Sequence, residues 1–280
     1  EVLSTVHGLV ALTDRAHNTA FAKKRTWDGK EIESLLGWIG SMHARTHEAF
    51  RAQIARMAVM VNTYFADRHG TIAYALAGSY PDRHPGHGPR LPADGRGGME
   101  WRGLKPFASN PQVVNPQQGY IANWNNKPAV GHDNTCTFLW SAADRVSEIE
   151  IRVDPKQPIE ALWDLIARTS LIDLQARHFV PRILSATATL PPHDRRRRAA
   201  EAMRGWDGSL DSRGGTYVHP GVPILRAVLP ALLRLVFAGT VPDREIALAA
   251  ALVAPDPAVP IARSPNIPDL VKLLDRVLRG

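Results

Sequence analysis

Two hydrophobic rhythms run along this chain and change over near its middle. In the first half the apolar positions alternate, as they do in strands. Residues 3–12 read as one strand and residues 20–22 as a second, short one. Ile32, Leu35, Leu36 and Ile39 then keep the i, i+3, i+4 spacing of a helix whose apolar stripe faces a core, with Trp38 on or beside it. A second helix is expected over 47–57, with Phe50, Ile54 and Met57 on one face. Residues 58–66 and 71–77 form a hairpin around Asp67-Arg68-His69-Gly70, Gly70 supplying the positive φ. Residues 78–118 read as a long ordered loop, a length that implies a functional wrap. From residue 138 the period lengthens to that of helices. They are expected over 158–169, 171–185, 194–206, 223–237, 243–253 and 269–278. Strands first and helices after make the chain α+β. Residues 1–150 are expected to form a sheet-based part and 151–280 a mostly helical region packed on it.

The stretch 110–128 departs from both rhythms. Gly119 marks a sharp turn, after which Tyr120-Ile121-Ala122-Asn123-Trp124 alternates like a strand and ends in two adjacent amides, Asn125 and Asn126. Pro128 stops further pairing. A carboxamide NH2 held at a fixed point is an uncharged donor. An oxyanion hole needs such a donor, because it stabilises developing negative charge without reorganising. The same two residues also suit an ordinary turn, since Asn tolerates left-handed backbone angles. Arg145 follows the apolar run 138–143. A guanidinium in that setting needs partners: it either orients the Asn or makes a plain salt bridge to Asp144 or Glu148.

Asn-Pro-x-x-Gly-Tyr-Ile-Ala-Asn-Trp-Asn-Asn-x-Pro resembles a signature of the penicillin acylase family of N-terminal-nucleophile hydrolases. Thr5-Val6-His7-Gly8, Trp27-Asp28-Gly29-Lys30-Glu31, Tyr80-Pro81-Asp82-Arg83, Pro89-Arg90-Leu91-Pro92, Ala143-Asp144-Arg145-Val146 and Arg204-Gly205-Trp206-Asp207-Gly208 follow in the family's order. The resemblance implies a share of an αββα sandwich, and hydrolysis of a carboxamide in a β-lactam side chain or a related N-acyl compound. It matches Asn125 to an oxyanion donor and Arg145 to an arginine beside the nucleophile. Trp38 and Val61 match positions lining the acyl pocket. It also implies a structural Ca2+, held by the Pro89 carbonyl and by an oxygen of Asp133 or Asn134, ligands of the right type. The family's nucleophile is the first residue of the mature catalytic chain. Glu1 is not one and corresponds to a point inside that chain, so the resemblance implies a fragment, inactive alone. The nucleophile, a companion α chain and the rest of the β chain would lie elsewhere, in a periplasmic or secreted bacterial parent. The other reading is a non-catalytic binding or scaffold module that keeps the fold.

Composition narrows the remaining classes. The net charge is +7 and the pI about 9.8, which permits anionic partners without demonstrating them. Arg195-Arg196-Arg197-Arg198 lies in a helical pattern with no aromatic platform and reads as a solvated face, so no nucleic-acid partner is expected. Cys136 is the single cysteine, which excludes an internal disulfide and a cysteine metal cluster. The apolar run 222–239 carries Arg226, Arg234 and Pro230, so it reads as a buried helix and not a membrane span. His84-Pro-Gly-His87 lacks the further ligands of a zinc site. His7 reads as a structural histidine. No dinucleotide or phosphate loop and no organic cofactor are expected.

Overall fold

The expected first strand breaks at residues 6–7 into a tight hairpin. In the computed structural model, which describes residues 2–88, 91–132, 140, 143, 145–253 and 269–279, β1 (Ser4–Thr5) pairs with β2 (Gly8–Asp14), and β2 with β3 (Thr19–Lys23). The chain falls into two compact units. Glu1–Ile121 with Lys127–Phe138 make the first, Ala122–Asn126 with Leu139–Gly280 the second.

In the first unit, α1 (Glu31–Met42) and α2 (His47–Ile54) pack together. Thr46 Oγ1 caps α2 by accepting from the Ala49 amide at 3.1 Å. The face α1 buries is not the expected one. Ser34 and Gly37 are buried, while Ile32, Leu35, Leu36, Trp38 and Ile39 are exposed. Close approach explains the inversion. A Cβ on Gly37 would stand 2.8 Å from the Gln53 carbonyl oxygen, so only glycine lets the two helices meet there. Ser34 Oγ donates to the Lys30 carbonyl and accepts from the Ala58 amide at 2.9 Å, satisfying a buried donor that leaves α2's end.

The hairpin is β4 (Val61–Ala66) and β5 (Ile72–Ala77), in register from Val61↔Ala77 to Ala66↔Ile72. Gly70 has φ +90° as expected. Residues 78–118 are more than a loop. They contain β6 (Pro81–Asp82) paired with β7 (Gly103–Leu104), and β8 (Gln112–Val114), which adds to the far side of β5. The sheet order is β4-β5-β8. Asn110, buried, donates to the Leu76 and Gly78 carbonyls at 2.9 Å each and brings β8 into register. One face of this sheet packs Ala75, Ala77, Val61 and Phe65 against Phe50, Ile54 and Met57.

The second unit is helical: α3 (Val146–Glu150), α4 (Ile159–Ser170), α5 (Ala176–Thr187), α6 (Arg195–Glu201), α7 (Gly221–Phe237), α8 (Asp243–Val253) and α9 (Asp269–Val277). One small ribbon, β9 (Ser212–Arg213) with β10 (Thr216–Tyr217), precedes α7. Phe179, Met203, Val222, Leu225, Leu229, Leu233, Val271 and Leu274 centre its core. Carboxylates buried here are paired, as the cost of desolvating a lone charge requires. Asp173 meets Arg226 at 3.5 Å, and Asp275 meets Arg182 and Arg279 at 2.9 and 3.0 Å. Arg226 thus places α7 inside a protein core. Among the described residues no helix is long and apolar enough to cross a membrane.

Candidate active site

The centre of interest is the run 122–126, within the second unit. The expected turn at Gly119 forms: its φ is +77° and its amide donates to the Pro116 carbonyl at 2.9 Å. The expected strand over 120–124 does not. Those residues take irregular conformations with no ladder partner among the described residues. Asparagine chemistry supplies the reason, because Asn side chains compete for backbone groups that a strand would pair. Asn126 Oδ1 accepts from the Trp124 amide at 3.0 Å, and Asn123 Oδ1 accepts from the Asn125 amide at 2.9 Å. Asn125 itself sits at φ +57°, in the left-handed region that Asn enters more readily than other side-chain-bearing residues. The residue is exposed.

Arg145 reaches the same turn from the start of α3. Its Nη2 donates to the Trp124 carbonyl at 2.8 Å, and its guanidinium lies over the Trp124 ring, 5.1 Å from the centroid. A cation over a ring and a directed hydrogen bond to the same residue are contacts that the forked guanidinium can make together. Of the two salt-bridge partners weighed from the sequence, Glu148 is engaged elsewhere. It is buried and meets Arg177 at 3.4 Å and also Arg152. Asp144 lies outside the described residues. Glu148 and the buried Val146 anchor α3, which fixes where Arg145 starts.

Asn125 and Arg145 therefore come together in the second unit, whereas Trp38 and Val61 belong to the first. Trp38 is half exposed on α1. Val61 begins β4 and packs against the Phe50 cluster. Pro89, Asp133 and Asn134, the expected Ca2+ ligands, lie outside the described residues. Among the described residues no cluster of His, Cys, Asp or Glu could hold a metal ion. His7 has partners on both ring nitrogens: Nε2 lies 2.8 Å from the Gly95 carbonyl oxygen and Nδ1 3.3 Å from Glu100. His84 Nδ1 accepts from the Gly86 amide in its own turn. In the arginine run, Arg196 pairs with Asp194 and Arg197 donates to the Leu190 carbonyl. Of the two flanking amides, the sequence marks Asn126 as one of an adjacent pair, in a donor or a turn role, and does not mark Asn123. Its signal was available in the density of asparagine around Trp124.

A family model described as penicillin amidase matches residues 1–277. The chain is 43% identical over 247 residues to penicillin G acylase of Escherichia coli, a match covering 86% of this chain and 29% of that protein. It superposes with TM-score 0.91 and 33% identity on a thermostable penicillin G acylase from Alcaligenes faecalis, covering 99% of this chain and 51% of that one. The chain thus spans under a third of the curated relative and about half of the solved one. With a family model matched across residues 1–277 and an α+β fold shared with a solved acylase, the chain belongs to the penicillin amidase family.

Proposed function

We propose that this chain carries the side-chain oxyanion donor of an amidohydrolase that cleaves linear carboxamides, the acyl side chain of a β-lactam or a related N-acyl compound. The observation that carries the reading is Asn125, an exposed residue in the left-handed region, on a turn held by Asn123, Asn126 and Arg145. A serine nucleophile on a segment outside this chain attacks the amide carbonyl. As the Ser O–C bond forms, the carbonyl electron pair moves onto oxygen. Asn125 Nδ2–H donates to that oxyanion. Collapse expels the amine, which takes up the proton that the serine hydroxyl lost on attack, and water then hydrolyses the acyl-enzyme to the carboxylate. Arg145 acts through Trp124, holding the peptide that precedes Asn125. Trp38 and Val61 are proposed to contact the acyl group, on the strength of the family resemblance. Ca2+ enters only as a structural ion. Pro89 with Asp133 or Asn134 would give few of the about six to eight oxygens it takes, the rest coming from elsewhere, and no catalytic step uses it.

The test is Asn125→Ala in the full-length gene product, assayed by amine release from a chromogenic phenylacetyl amide. One lost oxyanion donor costs about 10²–10³-fold in kcat. KM should move little, because the bond strengthens in the transition state. A kcat near that of the unmodified enzyme would refute the assignment.

A further inference from the structure

We infer that Asn123 and Asn126 are positioning residues for the Asn125 donor, an inference that rests on the oxyanion reading above. The argument is one of peptide planes. The plane joining Trp124 to Asn125 is bonded at both ends: its carbonyl accepts from Arg145 Nη2 at 2.8 Å, and its amide donates to Asn123 Oδ1 at 2.9 Å. The preceding plane is held by the Trp124 amide, which donates to Asn126 Oδ1 at 3.0 Å. Two successive planes are thus fixed by three side chains, two of them neutral amides that add no charge beside a developing oxyanion. The Trp124 amide to Asn126 Oδ1 bond closes a ring that runs through both backbone torsions of Asn125, and so restrains the direction of its Cβ. No strand ladder does this job, because residues 120–124 pair with none among the described residues. The left-handed φ of +57° at Asn125 is a conformation an L-residue adopts at a cost, and the clamp holds it. Asn126 is therefore more than a turn residue: its oxygen reaches back two positions while that of Asn123 reaches forward two.

The test is a double-mutant cycle in the full-length gene product, with folding checked by thermal denaturation. Asn126→Ala should lower kcat by about 10- to 100-fold, the scale of a misplaced catalytic group, with KM within about twofold. Asn126→Ser keeps a weaker acceptor oxygen and should lose only about threefold. Asn123→Ala and Asn123→Ser should behave in the same way. In an Asn125→Ala background the Asn126→Ala change should cost less than about twofold more, since there is no donor left to misplace. If Asn126→Ala fails to fold, the Asn126→Ser change in both backgrounds gives the same cycle: a loss only when Asn125 is present. Equal losses in both backgrounds, or undiminished kcat in folded Asn126→Ala, would overturn the positioning role. A native kcat in Asn125→Ala alone would instead overturn the oxyanion reading beneath it.

Discussion

At the scale of single residues, the turn at Asn125 shows what a carboxamide does that an aliphatic residue cannot. Each of the neighbouring amides, Asn123 and Asn126, accepts a backbone N–H, and Asn125 between them is an exposed residue. Arg145 closes the arrangement by bonding the Trp124 carbonyl and placing its guanidinium over the Trp124 ring. Charge alone does not explain that pair of contacts; shape does. Arg145→Lys in the full-length enzyme therefore keeps the charge and loses the fork that makes both contacts at once. Its kcat should fall on the order of tenfold. Steady-state kinetics on the phenylacetyl amide would show it, and an unchanged kcat would mean that only the charge matters. The Arg145–Trp124 pairing was not legible beforehand, since twenty-one residues separate the partners and local sequence offered nearer carboxylates.

At the scale of elements, α1 and the β4–β5 hairpin carry the first unit. Ser34 is the hinge of α1's packing, with one hydroxyl serving the Lys30 carbonyl and the Ala58 and Val59 amides. Ser34→Ala leaves the buried Ala58 amide unsatisfied and should destabilise the first unit by about 1–3 kcal/mol, measured as a lower midpoint in urea unfolding. On the sheet face away from α2, Tyr74 donates its hydroxyl to Asn62 Oδ1 at 2.8 Å and tilts against Tyr64. Burial pushes the Tyr64 hydroxyl up to about 12. Burial also raises Tyr74, and its neighbour Tyr64 adds to the shift. Both therefore favour the neutral phenol in the folded state, against about 10 in the unfolded chain. Their contribution to stability is complete below about pH 10 and is lost as pH rises through about 12 for Tyr64 and higher still for Tyr74. Denaturant midpoints should fall across that window, and Tyr64→Phe with Tyr74→Phe should flatten the fall. A midpoint that declines just as steeply in the double variant would contradict this.

At the scale of the whole chain, each unit has its own core, and the second is cross-tied by buried ion pairs. Asp173 and Arg226 are both almost wholly buried, and Arg226 also contacts the Tyr217 hydroxyl. Removing one charge strands the other, so Arg226→Met should cost about 3–5 kcal/mol. Asp173→Asn added to it removes the orphaned charge while keeping an acceptor for the Gln175 amide, and should recover much of the loss. Chemical denaturation of the set decides the matter, and a double variant no more stable than Arg226→Met would sink the idea. Sequence by itself determined the class and the helices that rest on local periodicity. α7, α8 and α9 fall within two residues of the ranges read from apolar spacing, because a period of 3.6 is written in neighbouring residues. It also pointed to Asn125, since several adjacent residue identities carry that motif. Only the tertiary structure decided the rest. It turned α1's apolar stripe outward, because Gly37 and Ser34 allow a closer contact with α2 and its end than leucines do. It recruited Gln112–Val114 as a third strand through Asn110. It replaced a strand at 120–124 with a clamped turn. Each of these depends on groups distant in sequence, or on side chains competing for backbone hydrogen bonds, and a periodic pattern records neither.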